Sequence, residues 1–167
     1  FPLAHLLCLR SCRAVNQPDE IVLHLHHEPW GRYWDLVRDD LTIVPVDPVR
    51  DVDDHDYDEL LVPARYRYAH HADFLRLDAL VEQGGVYADI DTIFVAPLPA
   101  HLFEQPFVIG REPPIVDERT GERRPSLCNA LLMSEPGSAF ARTWRDRMAA
   151  ALDGWSHHST LLPQELA

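Results

Sequence analysis

The sequence predicts an α/β layered domain with a mainly parallel sheet flanked by helices. Short apolar runs rich in Val and Ile alternate with segments of helical period, and turn residues separate the two. The 167 residues, 46% of them hydrophobic, are enough for one real core. No internal repeat or low-complexity linker divides them, so residues 1–167 read as a single domain.

The elements follow in order. Residues 3–15 have a helical period. "EIVLHLHH" (20–27) has the apolar run of a strand, "WGRYWDLVRD" (30–39) turns helical, and "LTIVPV" (41–46) is a second short strand. An acidic loop, "DPVRDVDDHDYDEL", comes next. Residues 64–83 hold the longest helical pattern, stopped by Gly84-Gly85. Strands are expected at 86–95, 106–112 and 127–134, a polar loop at 113–125, and a last helix at 136–152.

Composition narrows the function. Net charge is −12 with a pI near 5.1, which argues against a nucleic-acid or anionic-membrane surface. All 15 basic residues are arginine, so no mechanism here can use a lysine. No run approaches the ~18 apolar residues of a membrane span. The three cysteines contain no CxxC pair and read as buried thiols; Cys8 and Cys12, four apart, share a helix face. His24, His26, His27, His70, His71, His157 and His158 lack HExxH or cysteine partners at ligand spacing. They read as surface or satisfied groups, with His70 one turn from Asp73. The lysine-free composition and the lack of a disulfide pattern point to a bacterial, cytoplasmic protein; an anchor upstream of Phe1 stays open.

Two placements of charge are unusual. With Asp73 at zero on a helical wheel of about 100° per residue, Ala69, Leu77 and Leu80 fall within about 40° of it. Asp73 thus sits mid-way across the apolar face, with Arg76 on the same side; Asp78 and Glu82 fall opposite. Burying a lone charge costs several kcal/mol, which an i, i+3 Asp–Arg pair partly offsets. The pair is either a buried tie or a ligand contact. The second placement is "GGVYADIDTIFVAP" (84–97). Asp-x-Asp also occurs at 51–53, 54–56 and 56–58, in a hydrophilic loop where a solvated surface is the default. Only Asp89 and Asp91 follow a Gly-Gly turn inside an apolar run. In an extended strand they would project together, with Tyr87. Two such carboxylates repel, and a divalent cation, Mn²⁺ or Mg²⁺, makes the pair favourable.

Two chemistries could use this pair. One is the DxDxT nucleophile motif of haloacid-dehalogenase-like phosphatases, raised by "DIDTI", in which Asp89 would attack phosphorus and Asp91 act as acid and base. The absence of lysine and of a later Asp-Asp pair, and the mid-chain position, count against it. The other is glycosyl transfer. The span "AHHADFLRLDALVEQGGVYADIDTIFVAPL" (69–98) closely resembles the DxD-containing sugar-binding region of nucleotide-sugar glycosyltransferases. These include the yeast initiating α-mannosyltransferases, the α-1,4-glycosyltransferases and the clostridial glucosylating toxins. Ala69, Asp73, Arg76, Leu80, Gly84-Gly85, Tyr87, Asp89, Asp91 and Pro97 carry the match. "NALLMSEPGSAF" (129–140) resembles the family's later strand and turn, with Asn129 at its asparagine.

The resemblance implies a GT-A fold and a metal-dependent retaining glycosyltransferase. Its donor would be a UDP- or GDP-sugar, and its acceptor a glycan, lipid or protein. It implies that Asp91 binds Mn²⁺ or Mg²⁺ directly, that Asp89 contacts the donor ribose or sugar and shares the metal, and that the cation neutralises the leaving diphosphate. Asp73 and Arg76 would hold the donor sugar or its phosphate, Tyr87 would line the pocket, and Asn129 would face the sugar or acceptor. Asp89, Asp91 and Arg76 form the implied catalytic set. No nucleophile for a double displacement stands out, so a front-face route is implied. A degenerate, non-catalytic sugar-nucleotide-binding module is the alternative. The family opens with an "IPKIIHQIW"-like strand and closes with a segment completing the diphosphate site. Both lie outside this chain, which is expected to be a core truncated at both ends.

Overall fold

The computed structural model describes residues 1–167. They form two compact units, each built from two stretches of chain: Phe1–Asp47 with Ala88–Ala100, and Pro48–Tyr87 with His101–Ala167.

In the first unit helix α1 (Leu3–Asn16) buries Leu6 and Leu9, at the i, i+3 spacing of one face, and Cys8 beside them. Strand β1 (Val22–Leu25) and, after the one-turn helix α2 (Arg32–Asp35), strand β2 (Thr42–Pro45) pair in parallel, Val22 opposite Thr42. Leu6, Leu9, Trp34 and Val37 form the core, and Ile21, Leu23, Leu25 and Leu41 pack against it. The segment 88–100 is tied to α1 by side chains that satisfy its backbone. Ser11 Oγ accepts the Phe94 N–H (3.0 Å) and Asn16 Oδ1 accepts the Leu98 N–H (2.9 Å).

The second unit begins with the short helix α3 (Arg50–Asp53) and the long helix α4 (Arg67–Gln83). A three-stranded sheet follows in the order β3 (Gly85–Ala88), β5 (Arg123–Ser134), β4 (Phe107–Val116), with β4 and β5 antiparallel. Helices α5 (Ala139–Met148) and α6 (Leu162–Leu166) close the unit, joined through a π-helical turn at His157–Leu161. Its core draws Phe74, Leu77 and Leu80 from α4, Leu132 from β5, and Trp144 and Met148 from α5. Burying side chains of this kind contributes about 1.5–3 kcal/mol each.

Several local expectations change. The strand expected at 86–95 stops at Ala88. Asp89 to Thr92 form a turn in which the Thr92 N–H donates to the Asp89 carbonyl (2.9 Å). Asp suits the first position of such a turn, and the apolar run beyond it is not a core strand, since Ile93 and Val95 are exposed. The polar loop expected at 113–125 is instead the end of a hairpin. The Gly121 N–H donates to the Asp117 carbonyl at 2.7 Å, and Gly121 has φ 75°. Pro113 and Pro114, lacking ladder donors, coincide with a break in the β4–β5 register between Glu112 and Ile115. The helix expected at 30–39 is one α turn followed by a 3₁₀ turn at Arg38–Asp40. The last helix is shorter than 136–152, and the π-helical turn carried no periodic signal.

Candidate functional site

The helical wheel's central acid is where the period put it. Asp73 and Arg76 are each 6% exposed, on the face of α4 that also buries Phe74, Leu77 and Leu80. A buried carboxylate survives only with donors on it, and Asp73 has three. Arg76 Nη2 lies 2.7 Å from Oδ1, Asn129 Nδ2 donates to the same oxygen at 2.8 Å, and His158 Nε2 lies 2.8 Å from Oδ2. The Arg76 guanidinium is fixed from its other side as well. Nη1 donates to the Asn129 carbonyl at 2.5 Å, Nε to the Ala72 carbonyl at 3.4 Å, and the Tyr87 ring lies beneath it, centroid 4.6 Å from Cζ.

Four of the sequence-predicted residues, Asp73, Arg76, Tyr87 and Asn129, therefore meet in one cluster of the second unit. Helix α4 supplies two, β3 one and β5 one. The approach of α4 to β3 depends on Gly84, which has φ 70° and ψ −160° and donates its N–H to the Leu80 carbonyl. A Cβ there would lie 2.6 Å from Pro136 Cδ and 2.9 Å from the Ser134 carbonyl oxygen. Only glycine fits such a position.

Behind Asp73 is a group that sequence reasoning passed over. His158 and His70 are both fully buried, with ring centroids 4.3 Å apart. His70 Nδ1 is 2.8 Å from the Tyr57 hydroxyl. Burial lowers the His70 pKa to about 4, with the neighbouring His158 adding to the effect, and burial pushes the Tyr57 hydroxyl up to about 12. The one available signal was the placement of His70 a turn before Asp73. His158 lies 85 residues from Asp73 and has no local signal.

Asp89 and Asp91 belong to the first unit, at the mouth of the turn after β3, Asp89 half-buried and Asp91 exposed. The Cys8 thiol points at the Asp89 carbonyl (3.7 Å), and burial raises its pKa to about 11, so it stays protonated. His5, on the same face of α1, is close enough to feel the Asp91 charge, although burial lowers its pKa. The side chains do not form a closed metal cage: no cluster of three or more His, Cys, Asp or Glu is arranged to hold a metal. Mg²⁺-type cations need no such cage. They keep waters and bind through one or two carboxylates plus substrate phosphates. Two oxygen-donor acids on one turn, one of them exposed, fit that demand. The other acidic repeats are used on the surface: Asp53 pairs with His71, and Asp51 with Arg145. The phosphatase motif fails on its letters, since Thr92 is fourth and Ile93 fifth in the run from Asp89.

No helix is long and apolar enough to cross a membrane. Residues 10–108 match the model of the glycosyltransferase sugar-binding region containing the DXD motif. The chain is 33% identical over 168 aligned positions to glucan organizing enzyme 1 of Cryptococcus neoformans var. grubii, spanning all of this chain and 43% of that protein. It also superposes on the solved structure of PaToxG glycosyltransferase with a TM-score of 0.58 at 15% identity, over 95% of this chain and 62% of the other. The fold is thus the α/β, GT-A-type one that the resemblance implied.

Proposed function

Because this chain belongs to the glycosyltransferase family whose sugar-binding region contains a DXD motif, we propose that it is the donor-binding core of an enzyme moving a sugar from a nucleoside diphosphate to an acceptor. The reading treats residues 1–167 as one functional core. It rests on a single observation, the cluster of Asp73, Arg76, Tyr87 and Asn129 gathered from three elements. A surface salt bridge would not need all four.

The roles are the ones the family implies, matched to the chemistry of each side chain. A carboxylate offers about four acceptor positions. Protein donors fill three on Asp73, and the fourth accepts a hydroxyl of the donor sugar. Arg76 directs its charge toward the sugar phosphate, Tyr87 walls the pocket, and Asn129 faces the sugar or the acceptor. Asp91 and Asp89 would hold Mn²⁺ or Mg²⁺, and Asp89 would also contact the ribose or sugar. When bound, the cation supplies Lewis-acid stabilisation to the departing diphosphate. The reading assigns no residue the part of a nucleophile for a covalent sugar intermediate. Retention by a front-face route, the leaving phosphate oxygen accepting the acceptor's proton, fits that set.

Isothermal titration of the full-length protein with UDP- and GDP-sugars, with and without Mn²⁺, tests the reading. One donor should bind, bind more tightly with metal, and lose that gain in Asp91→Asn. An Asp91→Asn protein that cannot be told from wild type sinks the metal role. Donor binding without transfer or hydrolysis in the intact protein marks a binding module rather than an enzyme.

A further inference from the structure

We propose that His158 is a positioning residue for the donor sugar: it fixes the plane of the Asp73 carboxylate, and so the direction of the one acceptor position left to a ligand. The inference rests on the donor-binding reading of Asp73 above.

Charge does not require His158. Arg76 already lies 2.7 Å from Asp73 as counter-charge, and both partners are buried. Nor does Oδ1, which takes Arg76 and Asn129. What His158 supplies is the only hydrogen bond shown to Oδ2. The terminal torsion of an aspartate is broad and roughly two-fold, so donors on one oxygen leave the carboxylate free to swing. Donors on both oxygens pin it. A carboxylate only accepts, so Nε2 of His158 carries a hydrogen whatever the charge on the ring.

His158 is held by its backbone and by packing, while its Nδ1 is buried without a hydrogen-bond partner. Its carbonyl accepts the Trp144 indole N–H at 2.8 Å. Its ring packs against His70, which Tyr57 anchors through Nδ1, and against Phe74 at 6.3 Å. It is delivered by a π-helical turn, a rare local form that is frequent at functional sites. Rigid support of this kind behind a binding group is what keeps a site in register. For a fully buried position needing only bulk, an apolar ring would be the cheaper choice.

Three substitutions separate the roles. His158→Phe keeps a ring and removes the donor. His158→Gln puts an amide N–H near the place of Nε2. His158→Asn is polar but too short to reach. With the full-length protein and the donor that the titration selects, the donor dissociation constant should rise roughly tenfold or more in His158→Phe and His158→Asn, while His158→Gln recovers most of it. ¹⁵N NMR of the imidazole should find Nε2 protonated, with a signal that moves in Asp73→Asn. If His158→Phe does not fold, the Gln and Asn pair carries the comparison. Wild-type affinity in His158→Asn, while Asp73→Asn loses the donor, overturns the positioning role and leaves the donor reading standing. Wild-type affinity in Asp73→Asn overturns both.

Discussion

At the scale of single residues, two adjacent glycines separate backbone strain from crowding. Gly84 and Gly85 both have positive φ, 70° and 97°. A Cβ on Gly85 meets nothing within 4 Å, whereas one on Gly84 strikes Pro136 and the Ser134 carbonyl. Gly85→Ala should cost only the strained backbone, about 1–2 kcal/mol. Gly84→Ala adds a backbone clash and should cost about 3 kcal/mol or more, and it should also weaken donor binding by moving α4 against β3. Urea unfolding of the two variants side by side checks the order. An equal loss in both would mean the close approach to Pro136 is relieved cheaply. Legibility at this scale followed locality. Asp73 and Arg76 could be read because three residues of helix fix their relation. Asn129 could be read only through the family resemblance. His158 could not be read, because its meaning lies in a contact across 85 residues and its neighbours have no period.

At the scale of elements, existence was more legible than extent. Helix α4 and the parallel β1–β2 pair were visible in their apolar spacing. The run 86–95 misled because Ile, Phe and Val suit a strand, yet Asp89 opens a turn there. The hairpin tip was hidden by its charge, because its polar residues serve an ionic hub. Asp117 is 1% exposed, and Arg119 and Arg124 pair with it at 3.2 and 2.8 Å. Burial alone would raise its carboxyl, but hydrogen bonds from the two arginines outweigh that and hold it well below the usual carboxylate range. The same arginines reach Asp153 and Glu165, and Glu118 accepts the Trp155 N–H. The hub therefore clamps both sides of the turn that carries His158. Asp117→Asn should destabilise the protein by about 3 kcal/mol, the usual loss when one partner of a buried ion pair is removed. Amide exchange should quicken first at residues 155–161. Unchanged exchange there would show that the clamp is not what orders the turn.

At the scale of the whole molecule, acid is the expected weakness. His70 titrates near 4 in the folded protein, below its ordinary 6.5, because burial disfavours its charged form. Between those values the unfolded chain binds a proton that the folded one refuses. Its stabilisation is therefore complete above about 6.5 and is lost as the pH falls toward 4, by of order 3 kcal/mol. Asp117, with its lowered carboxyl, adds a loss of the same sign at still lower pH. The urea midpoint should fall between pH 7 and 4, and His70→Asn, whose amide oxygen stands near the place of Nδ1 and keeps an acceptor for Tyr57, should flatten that slope. A slope of the same size in the variant would assign the loss to other groups. The lack of lysine points to a bacterial source and the relative from Cryptococcus is fungal, so arginine preference by itself identifies neither source nor compartment.

The division of the chain between its two units bears on how it is made. Neither unit is continuous in sequence, and the polypeptide changes unit at 47/48, 87/88 and 100/101. During synthesis the first 47 residues emerge early but lack residues 88–100, the stretch that Ser11 and Asn16 hold. Their core of Leu6, Leu9, Trp34 and Val37 lies wholly within that stretch, but the segment that Ser11 and Asn16 hold arrives only after about forty residues of the other unit are translated, an interval of seconds at ribosomal speed. Protease protection of residues 1–47 in the nascent chain should accordingly reach its full level only once residue 100 has cleared the tunnel.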